Sequence, residues 1–282
     1  MGLDFTDAFI REVKPCLDSH WANAKIRCGD FGFFFYEGRR LEYLDRLDTS
    51  DSTGFSCMFY NCDSLTTIPE YDTSKGTSFY SMFFQCFSLT TTPELDTSNG
   101  TNFSHMFDGC GSLTTTPELD TSNGTNFSYM FRNLRSVTAI PALDTSKGTN
   151  FNNMFEGCMS LTTISGLDVG SGTSFDNMFK HCSSLANVYL YNIRQSIRLS
   201  DNATYGRSLT VDSLVHAIRE LCTTTTAQKL SISSTNLAKI ADLYCKVTDS
   251  TNEKMPMELC ESTDEGAMTL SDYAALKNWT IV

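Results

Sequence analysis

The sequence predicts an α/β solenoid of 24-residue rungs, each a short helix followed by a short parallel strand, capped by a C-terminal α/β segment. Three observations predict it. Met-Phe pairs recur at Met58-Phe59, Met82-Phe83, Met106-Phe107, Met130-Phe131, Met154-Phe155 and Met178-Phe179, each 24 residues after the last. Phe55, Phe79, Phe103, Phe127, Phe151 and Phe175 keep the same period, as do Leu65, Leu89, Leu113, Val137, Leu161 and Leu185. No insertion interrupts the count, which is the signature of stacked repeats. Residues 31–191 are therefore read as the solenoid, with six clear rungs over 55–191 and a degenerate first rung over 31–54. Its Phe31, Phe34, Phe35, Leu41, Leu44 and Leu47 are in register while its turn residues are not, as expected of a capping repeat.

Within a rung, Ser78, Asn102, Asn126, Asn150 and Ser174 stand just before the Phe, where a side-chain oxygen can cap a short helix. Phe103, Met106, Phe107 and Cys110 follow at offsets of 3, 4 and 7, the spacing of one helical face. Gly109 and Gly157, or Asn61 and Asn133 at the same place, suit a left-handed residue that ends the helix. Leu65, Ile68 and Tyr71 then mark an extended run, read as a short parallel strand. The segments DTSNG and DTSKG turn the chain, with Gly76, Gly100, Gly124, Gly148 and Gly172 able to take positive φ. Stacked rungs should lie about 4.8 Å apart and bury their Phe, Met and Leu on one another.

Outside the repeats, residues 1–30 are read as an attachment or capping segment and 192–282 as a helix-strand cap. LTVDSLVHAIRELC predicts a helix capped by Thr210, QKLSIS a strand, and STNLAKIADLYCKV a second helix. TLSDYAALKNWTIV predicts a third helix running into a last strand. The acidic stretch over 247–267 reads as a solvated loop.

Composition narrows the function. A formal charge of −12 argues against binding to nucleic acid and to anionic membrane surfaces. No apolar run approaches the length of a membrane span, and the N-terminal residues lack the continuous apolar core of a signal peptide. Met-Gly-x-x-x-Thr, through Gly2 and Thr6, matches the myristoylation pattern. Cys62, Cys86, Cys110, Cys158 and Cys182 form a column that Leu134 interrupts, so they are read as core fillers. The remaining Cys16, Cys28, Cys57, Cys222, Cys245 and Cys260 show no pairing logic, and so many free thiols fit a reducing compartment.

Signals for chemistry are thin. His20, His105, His181 and His216 join no nucleophile or metal partner, and no GxSxG, HExxH or phosphate loop occurs. Asp72, Asp96, Asp120, Asp144 and Asp168 could hold calcium, but the following Thr-Ser pairs favour local turn capping. The sequons at Asn99 and Asn102 are read as accidents of turn chemistry. No catalytic residue, cofactor or metal site is assigned. Columns that vary between rungs carry the candidate binding face: Tyr60, Tyr80, Phe84, Phe87, His105, Tyr129, Arg132 and Arg135. These types are enriched at interfaces, and the positions read as free of packing demands. Thr66, Thr90, Thr114, Thr138 and Thr162 offer an uncharged face beside them.

The unit FxxMFxxCxSLTTIPELDTS, quoted over residues 31–191, resembles the BspA-like class of bacterial leucine-rich repeats and related surface-protein repeats. STNLAKI and ALKNWTIV resemble the ends of repeat proteins from phages and prophages of gut bacteria. The resemblance implies a leucine-rich-repeat-like, right-handed coil with an adhesive or structural role and no enzyme activity. The expected protein is a phage virion component, a tail or head appendage assembled in the host cytoplasm. It would contact a host-cell protein, a surface glycan or a neighbouring virion protein, and be oligomeric. The alternatives are a bacterial cell-surface adhesin and an intracellular interaction scaffold.

Overall fold

The computed structural model of the protein describes residues 26–27, 29–38, 45, 47–199, 209–221, 224, 227–232, 234–248, 250, 257–260, 263–265 and 267–281. The expected attachment segment falls almost wholly outside these residues, as do Leu41 and Leu44.

Residues 24 apart face one another across a parallel ladder. Single bridges run Asp30 to Gly54, Ser78, Asn102, Asn126, Asn150 and Ser174 in unbroken succession. Phe103, His105, Phe107 and Gly109 donate their amides to the carbonyls of Asn126, Ser128, Met130 and Arg132, at 2.8–2.9 Å. The first rung joins the same ladder, with Phe31, Phe33, Phe35 and Glu37 donating to Gly54, Ser56, Met58 and Tyr60.

The short helix expected in each rung is not there. Among the described residues the segment from each Phe onward is a run of overlapping turns. Met106, Asp108 and Cys110 donate back three residues, to Phe103, His105 and Phe107, while the amides between them go to the next rung. Asn102 Oδ1 accepts from the Ser104 amide at 3.1 Å, so the expected cap begins a turn instead of a helix. Left-handed residues every fourth position make the alternation possible: Cys57 and Asn61, Ser81 and Gln85, His105 and Gly109, Tyr129 and Asn133. A helix would direct every amide along its own axis and leave none for the neighbouring rung. The inter-rung ladder takes those amides.

Among the described residues the expected strands reach full length in the last two rungs, β3 (Thr163–Asp168) and β4 (Asn187–Tyr191), after the short pair β1 (Ile26–Arg27) and β2 (Leu47–Asp48). Proline supplies the reason. Pro69, Pro93, Pro117 and Pro141 occupy one column and have no amide to donate. Ser165 and Tyr189 replace them in the last two rungs, and there the ladder closes into parallel strands. A bulge shifts the register between Ile164 and Leu167, at Gly166 with φ +118°.

Two phenylalanine columns fill the interior. Phe55, Phe79, Phe103, Phe127, Phe151 and Phe175 stack with ring centroids 5.5–5.8 Å apart, nearly parallel. Phe35, Phe59, Phe83, Phe107, Phe131, Phe155 and Phe179 repeat this at 5.4–6.1 Å. The DTSNG-type glycines do not need positive φ; they are needed because the ring lies against them. A Cβ on Gly124 would come within 2.4 Å of Phe127 Cζ.

Beyond the rungs come β5 (Ile197–Arg198), α1 (Val211–Arg219), β6 (Gln228–Ser231) and α2 (Ser234–Ile240). They are followed by β7 (Tyr244–Val247), β8 (Met257–Cys260), β9 (Met268–Thr269), α3 (Leu270–Leu276) and β10 (Trp279–Ile281). Thr210 caps α1 by accepting from the Ser213 amide, and its own amide donates to Ala186, 24 residues earlier. The cap thus continues the rung register. Ser213 Oγ holds Val188 on both sides, accepting from its amide and donating to its carbonyl. The strands β10, β6 and β5 form a parallel sheet.

Two expectations change here. The second helix ends at Ile240, and Tyr244–Val247 is a strand, since an aromatic and β-branched run finds antiparallel partners in β8 and β9. Part of the acidic stretch read as a loop is β8 itself.

A candidate binding face

The variable columns are built by the left-handed turns. His105 and Tyr129 are αL residues themselves, and Tyr36, Tyr60, Tyr80 and Phe84 each precede one, whereas Met58, Met82 and Met106 follow one and stay buried. Tyr36, Tyr60 and Phe84 stack along one column, with centroids 4.7 and 4.5 Å apart. Burial, then neighbouring acidic groups, hold the Tyr60 hydroxyl above its ordinary range. The column then changes character and continues as Asp108, Arg132, Glu156 and Lys180, alternating in sign.

Asp108 joins the two parts. Its carboxylate is almost fully buried and accepts from Arg132 twice, Nε to Oδ1 at 2.9 Å and Nη2 to Oδ2 at 2.8 Å. His105 Nδ1 lies 2.9 Å from Oδ2. Partial burial opposes the Arg132 charge, but the Asp108 hydrogen bond and charge outweigh it and hold the guanidinium above its usual range. Arg132 also lies over the Tyr129 ring at 4.7 Å, and Tyr129 stacks on His105 at 4.3 Å. Tyr80 and Phe84 meet the His105 ring by their edges, at 6.1 and 5.8 Å. Lys180 completes the ladder 3.4 Å from Glu156.

Six of the eight predicted residues therefore belong to one connected band: Tyr60, Tyr80, Phe84, His105, Tyr129 and Arg132. Phe87 stands at its side, 52% exposed, on the rim of a cavity of about 370 Å³. Arg135 is exposed and, among the described residues, makes no hydrogen bond or ion pair with the band. The reading of these positions as free of packing demands fails at Arg132 and His105, because a buried carboxylate depends on them. Sequence reasoning missed Tyr36, the exposed Phe33 whose ring lies 5.7 Å from it, and the pairing role of Asp108. The signal for Tyr36 was its place 24 residues before Tyr60, hidden by the degenerate rung.

The remaining columns serve the ladder. Thiols of Cys62, Cys86, Cys110, Cys158 and Cys182 donate to the carbonyls of Phe35, Phe59, Phe83, Phe131 and Phe155 at 2.9–3.0 Å. Burial pushes the Cys62 thiol up to about 12 and Cys86, Cys110 and Cys158 well above their ordinary value. Asp72, Asp96, Asp120 and Asp144 each accept from the amide and hydroxyl of the Ser two residues on. That is turn capping. Exposed Thr77, Thr101, Thr125, Thr149 and Thr173 donate their hydroxyls to the carbonyl 24 residues earlier, and Thr90 and Thr162 do the same.

Backbone pairing every 24 residues and an outward band of rings and charges define a repeat protein with one differentiated face. Residues 31–139 and 114–210 match the family described as "Mycoplasma protein of unknown function, DUF285". The two matches together span more than half of the chain, which belongs to that family. No curated protein matches it.

Proposed function

We propose that the stacked rungs are a solenoid of the leucine-rich-repeat type, capped by its C-terminal α/β segment, and that the protein is a non-enzymatic binding component of a phage virion. Its contact surface is the band from Tyr36 and Tyr60 through Phe84 and His105 to Arg132. The observation that carries this reading is that band: rings stack outward over three rungs and hand over to paired charges, while the inward columns stay almost uniform. Exposed aromatic and Arg side chains on a rigid support suit recognition of a partner surface. Buried, protonated thiols suit assembly in a reducing cytoplasm before particle release.

Antibody labelling tests it, with producing cells and purified particles viewed separately by electron microscopy. Label on particles is expected. Label confined to cell envelopes would contradict the virion assignment and place the same face on a bacterial surface. Replacement of Tyr80 and Phe84 by Ala should then abolish attachment without loss of fold.

A further inference from the structure

We infer that the cavity beside Phe87 is a docking pocket for an arginine side chain of a partner polypeptide. The inference rests on the binding-face reading and gives that face its partner chemistry. Glu37, Asn61, Asp63, Gln85 and Phe87 line the cavity, of about 370 Å³. Glu37 and Asp63 bring two carboxylates, and among the described residues neither meets a Lys, Arg or His. Phe87 offers a half-exposed ring at the rim. Asn61 lines the same cavity, and its Oδ1, shielded from solvent, has no hydrogen-bond partner.

Two negative charges and a half-exposed ring together select a flat cation rich in donors. A guanidinium stacks on an aromatic face and donates to carboxylates in pairs. An ammonium carries its three donors around a point and covers less of the ring. A neutral hexose would leave both carboxylates uncompensated, and an anion would be repelled. The net charge of −12 favours a basic partner in the same direction. The backbone is also committed here: Glu37, Asn61 and Gln85 hold φ of 55°, 56° and 56°, in the column that Gly109 and Gly157 fill later. Polar side chains are kept at a position where glycine is the unstrained choice.

The test is an NMR titration of the full, isotope-labelled chain with Nα-acetylarginine amide. Saturating shifts are expected at Asn61, Gln85 and Phe87, with affinity roughly tenfold lower in Asp63→Asn and in Phe87→Ala. Both residues are exposed, so the fold should survive either change. Nα-acetyllysine amide should bind more weakly and glucose should give no saturating shift. Equal binding of the lysine derivative, saturation by glucose, no saturation by arginine, or full affinity in Asp63→Asn would each overturn the pocket. The probe does not involve the natural partner, so such a result leaves the face reading to the labelling experiment.

Discussion

The Cys110 thiol donates to the Phe83 carbonyl at 3.0 Å, one rung away, and four further cysteines of the same column repeat the bond. A buried thiol here is both filler and donor. Leu134 takes this place in one rung and cannot donate, yet Phe107 still receives the Cys110 amide. The column tolerates the exchange because the thiol bond is additional to a backbone bond.

Thiol chemistry follows from this. Burial raises the Cys57 thiol to about 11 and Cys62 to about 12, so almost no thiolate exists at pH 8. Iodoacetamide should leave these and the other column thiols unmodified in the native protein and label them after denaturation. Native labelling at Cys110 would contradict the assignment. Cys110→Ala should cost about 1–2 kcal/mol, read by denaturant unfolding, because a small cavity is left beside a still-bonded carbonyl.

Glycine sites separate by their neighbours. Gly124→Ala places a methyl 2.4 Å from the Phe127 ring and 2.9 Å from the Thr121 carbonyl, and should destabilise by about 1–3 kcal/mol. Gly111→Ala meets nothing closer than 3.9 Å and should be nearly neutral. Equal thermal shifts from the two would contradict the stacking.

Removal of the buried carboxylate should be felt beyond its own rung. Asp108→Ala deprives Arg132 and His105 of their shared partner and should cost about 2–3 kcal/mol. Arg135→Ala should change stability by less than about 0.5 kcal/mol, as expected for an exposed position without such a partner. Chemical unfolding of the two variants side by side checks the contrast.

Acid should weaken the turns. The hydroxyl and amide of Ser74, Ser122 and Ser146 hold Asp72, Asp120 and Asp144 below the ordinary carboxylate value of 3.8. A depressed folded-state value means stability that is present above the unfolded value and lost as pH falls through the folded one. The loss should therefore begin below about pH 4, and Ser122→Ala should reduce its steepness. Carboxylate NMR titration midpoints at or above 3.8 would contradict the capping.

The period, the inward Phe, Met and Leu columns and the Asp-Ser turns were legible because packing repeats the same residue at the same place. The local backbone was less so. Apolar offsets of 3, 4 and 7 describe a helical face, yet they also fit turns with a left-handed residue every fourth position. Asn61, Gly109, Asn133 and Gly157 gave one of those positions; Cys57, Ser81 and Tyr129 disguised the other, since such residues seldom adopt positive φ. The proline column, which the sequence reading passed over, explains why the ladder closes into longer strands where Ser165 and Tyr189 replace it. Of the candidate face, the aromatic residues were legible as variation, but the bond from Arg132 to Asp108 was not, because both sit in the same varying column and only the stacking reveals the pair.

The central claim is that alternate amides of each rung belong to its neighbour. Scalar coupling across hydrogen bonds, measured by NMR, tests it most directly. The account predicts coupling between the Phe107 amide and the Met130 carbonyl, whose atoms lie 2.9 Å apart. Coupling of that amide to Phe103 instead, the mark of a helix, would contradict it.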